Sequence, residues 1–265
     1  MKYSFIGLGN MASAIINGMY KNGFFENNTV YGHNRSSEKT EALSRETGLV
    51  PCASNDEAAG YADAVILAVK PQMMETVLSE LSDSSRKGRL FITIAAGKPL
   101  SWYDEFLPEA PVIRAMPNIN AIVGLSSTAV CGNDRTTPEQ FEIARNLFSA
   151  IGRVYDVSEN MFSGFSAICG SSVAFTFMYM DAIASAGVKA GFPKKTTLEF
   201  AFQSVMGCAS LLQETGLSPS EFVDRICSPG GTTIEGVHKI RELGFESAVY
   251  QGIDAIIAKD RAMGK

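Results

Sequence analysis

The sequence predicts an α/β domain with a mostly parallel sheet over residues 1–158, followed by an all-α domain over residues 159–265. Three observations carry this. Short β-branched runs alternate with helical patterns through about residue 157, the rhythm of βαβ units. A glycine-rich turn joins the first run to the first helical pattern. Beyond Glu159 the alternation stops and long helical segments take over. With 46% hydrophobic and 19% charged residues in 265, the chain can bury a sizeable core.

Taken in order, the run 2–9 (KYSFIGLG) reads as a strand and 10–23 as a helix; 28–35 (NTVYGHNR) follows as a strand and 37–48 as a helix. Residues 49–54 and 62–71 (ADAVILAVKP) are the next strands, 72–88 a helix, 89–97 (RLFITIAAG) a strand and 99–109 a helix. Strands at 112–118 and 125–132, a helix at 138–152 and a last strand at 153–158 complete the first domain. In the second, breakers at 191–193 (Gly-Phe-Pro), 216–219 and 228–231 (Ser-Pro-Gly-Gly) separate the helices. Segments such as Phe175–Met180 and Phe200–Leu212 carry more apolar side chains than a domain of about 105 residues can bury alone, which predicts dimerisation through these helices.

Composition excludes several classes. Lys and Arg number 23 against 28 Asp and Glu, a formal charge of −5 with no basic run, so nucleic acid is not expected as a partner. Five scattered cysteines without a CxxC argue against a disulfide framework or zinc site and point to the cytoplasm. The start MKYSFIGLG lacks the features of a secretory signal. Residues 164–180 carry no charge but contain several Ser and Gly, and read as core or subunit interface rather than a membrane span.

The segment Gly7-Leu8-Gly9-Asn10-Met11-Ala12 is GxGxxA between a strand and a helix, the context that makes this motif specific for a Rossmann-type dinucleotide site. Gly7 permits the tight turn, Gly9 lets backbone approach a pyrophosphate, and Ala12 lets the helix lie close to the strand. The helix N-terminus supplies amides and positive potential to the phosphates. After the second strand the chain reads Gly32-His33-Asn34-Arg35-Ser36-Ser37, with no carboxylate for ribose hydroxyls. Arg35 offers a charged fork to a 2′-phosphate, and Asn34, Ser36 and Ser37 offer hydrogen bonds, so NADP(H) is expected over NAD(H). Ala68-Val69-Lys70-Pro71 ends the fourth strand, where open α/β sheets bind ligands; Lys70 reads equally as a ligand or as a solvated lysine.

Only two histidines occur, and HExxH, GxSxG and GxxxxGK[ST] are absent, which disfavours metal or serine-triad hydrolysis. Hydride transfer remains, because the cofactor carries the difficult step. A protonated imine already bears its positive charge, so it suits a site poor in acids better than a carbonyl does. Ser228-Pro229-Gly230-Gly231-Thr232-Thr233 precedes a helical pattern. Its amides could hold a small carboxylate, with a Thr232 or Thr233 hydroxyl capping the helix or meeting a ligand; a plain helix start is the other reading.

Together, FIGLGNMA at 5–12, AVKP at 68–71, AAG at 95–97 and SPGGTT at 228–233 resemble the pyrroline-5-carboxylate reductase family over essentially the whole chain. The resemblance implies reduction of 1-pyrroline-5-carboxylate to proline with NAD(P)H, by dimers formed through the carboxyl-terminal helices and in some cases assembled into decamers. It places the cofactor on Gly7 to Met11, Asn34 to Ser36, Asn55 and Ala68 to Pro71, with Ala96 near the nicotinamide. It places the substrate carboxylate around Gly231 and Thr232, Thr233 near the ring nitrogen as the catalytic position, and Glu159 among the substrate residues near the domain junction. Two departures stand out: Met116-Pro117-Asn118-Ile119-Asn120 where the family commonly has MPNTP, and Gly170-Ser171-Ser172-Val173-Ala174-Phe175 where it commonly has GSGPAY. The second removes a proline, which predicts a straighter long helix, and a tyrosine hydroxyl. Together they bear on substrate choice and activity, and leave as alternatives a family paralogue that reduces another small cyclic imine or keto acid, or a non-catalytic dinucleotide-binding sensor.

Overall fold

The computed structural model describes residues 1–263. Eight strands form one sheet: β1 (Lys2–Ile6), β2 (Thr29–His33), β3 (Val50–Pro51), β4 (Ala64–Leu67), β5 (Leu90–Thr93), β6 (Val112–Met116), β7 (Ser126–Gly132) and β8 (Gly152–Asp156). Their order is β3-β2-β1-β4-β5-β6-β7-β8, and every neighbouring pair except β6–β7 is parallel. The chain moves outward from β1 in one direction to β3 and in the other from β4, so the order reverses between β1 and β4. A ligand crevice lies outside the carboxyl ends of strands at such a point.

Strands β4 and β5 are buried along their whole length, which is why they read as unbroken apolar runs rather than alternating ones. Phe5 belongs to the core on one face, with Ile15, Ile16, Met19 and Phe148. Its neighbour Ile6 belongs to the core on the other face, with Val65, Leu67, Phe91 and Tyr103. Burying a side chain the size of Phe5 completely is worth about 1.5–3 kcal/mol. The antiparallel step follows from length: residues 117–125 between β6 and β7 are too few for a crossover, and they form a 3-10 turn that returns the chain beside β6.

The helices of this half are α1 (Asn10–Lys21), α2 (Ser37–Thr47), α3 (Asn55–Tyr61), α4 (Met74–Ser79), α5 (Asp83–Arg86), α6 (Leu100–Tyr103) and α7 (Pro138–Ser149). Three expectations change here. Helix α3 was not foreseen; Ser54 caps it by accepting from the Glu57 amide at 3.0 Å, and Glu57 accepts from the Ala53 amide. The single helix expected over 72–88 is broken into α4 and α5, because Ser82 caps a new start and Asp56 takes the Ser82 amide at 2.7 Å. The helix expected over 99–109 is only the four residues of α6.

The remaining helices are α8 (Phe162–Phe165), α9 (Val173–Lys189), α10 (Lys194–Thr215), α11 (Pro219–Ile226), α12 (Thr232–Glu242) and α13 (Phe245–Met263). Packing groups Met1–Gly170 with the end of α13 from Ile257 as one compact unit, and Ser171–Ile256 as the other. Where proline is missing, α9 runs unbroken from Val173, and Ser166–Ser171 just before it is π-helical. Residues 159–189 are long and apolar enough to cross a membrane by length and composition alone. In the second unit, α9 and α10 meet where the Thr197 hydroxyl donates to the Ala184 carbonyl at 2.9 Å; Ala184, Thr197 and Ala201 are buried. Phe177, Met178, Phe200, Phe202, Met206 and Tyr250 remain about half or more exposed in the single chain, so these helices do not enclose a core of their own.

Candidate active site

The first glycine turn sits at the carboxyl end of β1, at the switch point. The Gly7 amide donates to the His33 carbonyl at 2.9 Å and φ is +91°, a conformation glycine adopts freely. A Cβ at Gly7 would stand 2.6 Å from Val69 Cγ1 and 3.1 Å from the Ala68 carbonyl, so the segment just after β4 closes on this residue. Gly9 is the N-cap of α1, extended and exposed, with no side chain capping the helix. Nothing lies within 4 Å of a Cβ built there. The first-turn amides, with Asn10 exposed and Met11 half-buried, therefore face open space with positive potential and without helix carbonyls to bond. Ala12 is fully buried beneath them.

The turn is tied to the next loop. Asn34 Oδ1 accepts from the Leu8 amide at 3.2 Å, and Asn34 Nδ2 donates to the Ser36 carbonyl at 3.4 Å. Asn34 thus fixes the loop, whereas the sequence suggested only a donor to ligand. Arg35 and Ser36 are exposed beside it, and the His33 ring is held by the Cys52 carbonyl at 3.0 Å. Ala68 bonds to β1 through the Ile6 carbonyl at 2.9 Å, which places Ala68 and Val69 against Gly7. Lys70 is exposed and starts the 3-10 turn Pro71–Met73. Asn55 begins α3, and its side-chain amide is engaged by Glu80 at 2.6 Å. The open amides, the lack of a carboxylate at 32–37 and the exposed Arg35 fit a phosphorylated dinucleotide.

Ala96 follows β5 and is half-buried. The flanks of its loop are built from residues the sequence did not single out. Thr93, Arg114 and Cys131 lie side by side on β5, β6 and β7. The Thr93 hydroxyl shares a 2.6 Å bond with the Tyr103 hydroxyl and accepts from the Ala95 amide at 3.3 Å. Arg114, only 8% exposed, donates to Glu159 Oε1 at 2.6 Å and lies over the Phe162 ring. The same Glu159 oxygen accepts from the Leu100 amide at 2.7 Å. Burial pushes the Tyr103 hydroxyl up to about 12, against the lowering influence of Thr93 and Arg114. Burial, helped by the Glu159 charge and opposed by Arg114, pushes the Cys131 thiol up to about 12. Neither is poised as an acid near neutral pH.

In the other unit, Gly230 has φ +69°, the Gly231 amide donates to the Ser228 carbonyl at 3.0 Å, and α12 begins at Thr232. Of the two readings open for the threonines, the helix cap does not form. Gly231 is the N-cap, no side chain caps the helix, and Thr232 and Thr233 are its first two residues, both exposed. Like α1, α12 therefore starts from glycine with its first-turn amides open. The departure at 120 also has a visible effect. Asn118, 4% exposed, accepts at Oδ1 from the Asn120 amide at 3.1 Å, a donor that proline lacks, and donates from Nδ2 to the Cys169 carbonyl of the π-helical segment at 2.7 Å.

Among the described residues, no three His, Cys, Asp or Glu side chains are grouped to hold a metal ion. Comparison with known proteins gives the same direction throughout. The family model described as "Pyrroline-5-carboxylate reductase dimerisation" matches residues 159–263, and that described as "NADP oxidoreductase coenzyme F420-dependent" matches residues 2–97. The pyrroline-5-carboxylate reductase of Escherichia coli is 37% identical over 265 residues, covering 100% of this chain and 98% of that protein. That of Methanosarcina acetivorans is 34% identical over the same span, with the same coverage. The 1-pyrroline-5-carboxylate reductase structure from Streptococcus pyogenes superposes with a TM-score of 0.90 at 37% identity, covering 99% of this chain and 98% of that one. The Plasmodium falciparum pyrroline carboxylate reductase, solved with NADP bound, gives 0.89 at 25% identity, covering 100% and 98%. With identity of this order over the whole of both chains, and its carboxyl-terminal region matched by that family's dimerisation model, the chain belongs to the pyrroline-5-carboxylate reductase family.

Proposed function

We propose that this protein reduces 1-pyrroline-5-carboxylate to proline with NADPH. The observation that carries the reading is the pair of glycine-started, side-chain-uncapped helices, α1 at Gly9 and α12 at Gly231, inside otherwise intact family motifs. When bound, NADPH supplies a hydride to C5 of the cyclic iminium, and the C=N electron pair passes to nitrogen to give the secondary amine.

The chain's own residues bind and orient. Gly7, Leu8, Gly9, Asn10 and Met11 form the diphosphate turn. Asn34, Arg35, Ser36 and Asn55 form the adenosine side, and Ala68, Val69, Lys70, Pro71 and Ala96 form the side toward the nicotinamide. The turn at Gly231 and the open first-turn amides beginning at Thr232 hold the substrate carboxylate, and the exposed Thr233 hydroxyl meets the ring nitrogen. Acceleration comes from positioning and electrostatic complementarity rather than a strong side-chain acid. Residues 1–158 act as the dinucleotide domain and 159–265 as the dimerisation and substrate domain. The exposed apolar helices support a homodimer in the cytoplasm, assembling further into a decamer, with neither nucleic acid nor membrane as partner. NADH is the weaker alternative cofactor.

Purified full-length protein mixed with NADPH and pyrroline-5-carboxylate should consume the nicotinamide absorbance and form proline. No consumption at any substrate concentration contradicts the reading. The Asn120–Asn118 bond favours one second reading, reduction of a related cyclic imine, which a panel of ring sizes and substituents separates from the first.

A further inference from the structure

We infer that Glu159, paired with Arg114, is a positioning residue that fixes the 94–99 loop for the nicotinamide end of the cofactor, rather than a ligand to substrate. This rests on the dinucleotide reading above and concerns the loop at the carboxyl end of β5, where ligands of such sheets lie. The loop is held at both ends. At its start, Thr93 Oγ1 takes the Ala95 amide and is itself braced by the Tyr103 hydroxyl. At its end, helix α6 has Pro99 as N-cap, which offers no side-chain acceptor, so the first-turn amides lack a local cap. Glu159 supplies the acceptor from 59 residues away, taking the Leu100 amide at 2.7 Å.

The same oxygen is fixed from the other side by Arg114 at 2.6 Å. Arg114 cannot drift, because it projects from β6 in register with Thr93 and Cys131 and lies 4.7 Å over the Phe162 ring. A buried guanidinium left without any acceptor would be costly, so Arg114 holds the acceptor that residue 159 presents, and the loop end with it. Both ends of the loop thus trace to one cross-strand row, Thr93 and Arg114. Oε1 is thus committed to Leu100 and Arg114, which anchors the side chain to the protein, and the imine KM reports on whether Oε2 meets substrate.

The test uses Glu159→Ala, which removes both bonds, and Glu159→Gln, which keeps an acceptor for Leu100 without the charge. Three quantities are read on the full-length protein: hydrogen-exchange protection of the Leu100 amide without cofactor, NADPH affinity by fluorescence titration, and the separate KM values and kcat. Glu159→Ala should lose protection at Leu100, bind NADPH about 10-fold more weakly and lower kcat by on the order of 10- to 100-fold, with the imine KM little changed. Glu159→Gln should recover protection and NADPH affinity. The inference is overturned if Glu159→Ala keeps both while the imine KM rises, or if Glu159→Gln behaves like Glu159→Ala. Should Glu159→Ala fail to fold, Glu159→Gln alone decides, since a charged substrate ligand would be lost in it and an amide acceptor would not. If the wild-type protein reduces no imine, the functional reading falls, while exchange and NADPH affinity still judge the inference.

Discussion

Replacing Gly7 and Gly9 by alanine, one at a time, should separate folding from cofactor binding within a single turn. At Gly7 the backbone has φ +91°, which costs an alanine about 1–2 kcal/mol. Its Cβ would also overlap Val69 Cγ1 at 2.6 Å and press on the Ala68 carbonyl, and overpacking of this kind costs about 1–3 kcal/mol. Val69 is stiff at χ1 and Ala68 is backbone, so neither yields easily. The sum, about 2–5 kcal/mol, corresponds to a drop of about 4–20 °C in midpoint for a chain of this size. Gly9 differs. Its φ of −76° and ψ of −175° accept alanine, and nothing meets the added methyl within 4 Å. A gain of about 0.4–1 kcal/mol from the unfolded chain roughly cancels an N-cap loss of about 0.5–1 kcal/mol. Stability should therefore stay within about 1 kcal/mol of wild type. The methyl, however, fills the space a diphosphate must enter, and losing one charge-assisted amide bond, about 1.5–3 kcal/mol, weakens NADPH binding about 10- to 100-fold. The assays are thermal unfolding without nucleotide, at matched protein concentration because assembly affects the midpoint, and NADPH fluorescence titration. A Gly7→Ala protein melting with wild type would remove the steric role of Gly7, and a Gly9→Ala protein binding NADPH normally would move the diphosphate away from Gly9.

Other outcomes follow from the same geometry. Arg35→Ala should weaken NADPH about 10- to 100-fold and leave NADH nearly unchanged, measured by paired titrations; equal losses would remove Arg35 from the 2′-phosphate. Thr233→Ala should leave the melting curve unchanged, since Thr233 caps nothing. Its turnover should fall about 10- to 100-fold at constant NADPH affinity, as for loss of one hydrogen bond to a charged group. Phe177→Glu, on the exposed face of α9, should shift sedimentation toward smaller species; an unaltered sedimentation profile would move the subunit contact off this face. For Tyr103 the folded pKa lies above the unfolded one, so its buried neutral hydroxyl stabilises the fold below pH about 10 and that contribution fades as pH rises toward about 12. Tyr103→Phe should flatten that part of the denaturation-versus-pH curve.

The amino half was largely legible because parallel central strands bury both faces and so leave unbroken apolar runs, and because a glycine turn after the first of them has a specific steric use. Helix α3 escaped because seven residues rich in alanine show no amphipathic period; the signal was the Ser54-x-x-Glu57 cap. Cap and ligand contact were both open for the threonines, because only the structure shows the Ser228–Gly231 turn closing on itself and carrying both inside the helix. The Thr93, Arg114 and Glu159 arrangement could not be read from spacing. Thr93 and Arg114 meet through strand register and Glu159 reaches Arg114 from the turn after β8, and no local pattern marks them. The helical half announced its unburied apolar surface through composition, but its π-helical segment left no such trace.

The most direct test of the whole account follows the transferred hydrogen itself. Protein incubated with NADPH deuterated at C4 on the transferred face and with pyrroline-5-carboxylate should yield proline carrying deuterium at C5, seen by mass spectrometry and NMR, and the label should fall in step with turnover in Thr233→Ala. Proline formed without the label, or NADPH left unoxidised beside intact imine, would contradict it.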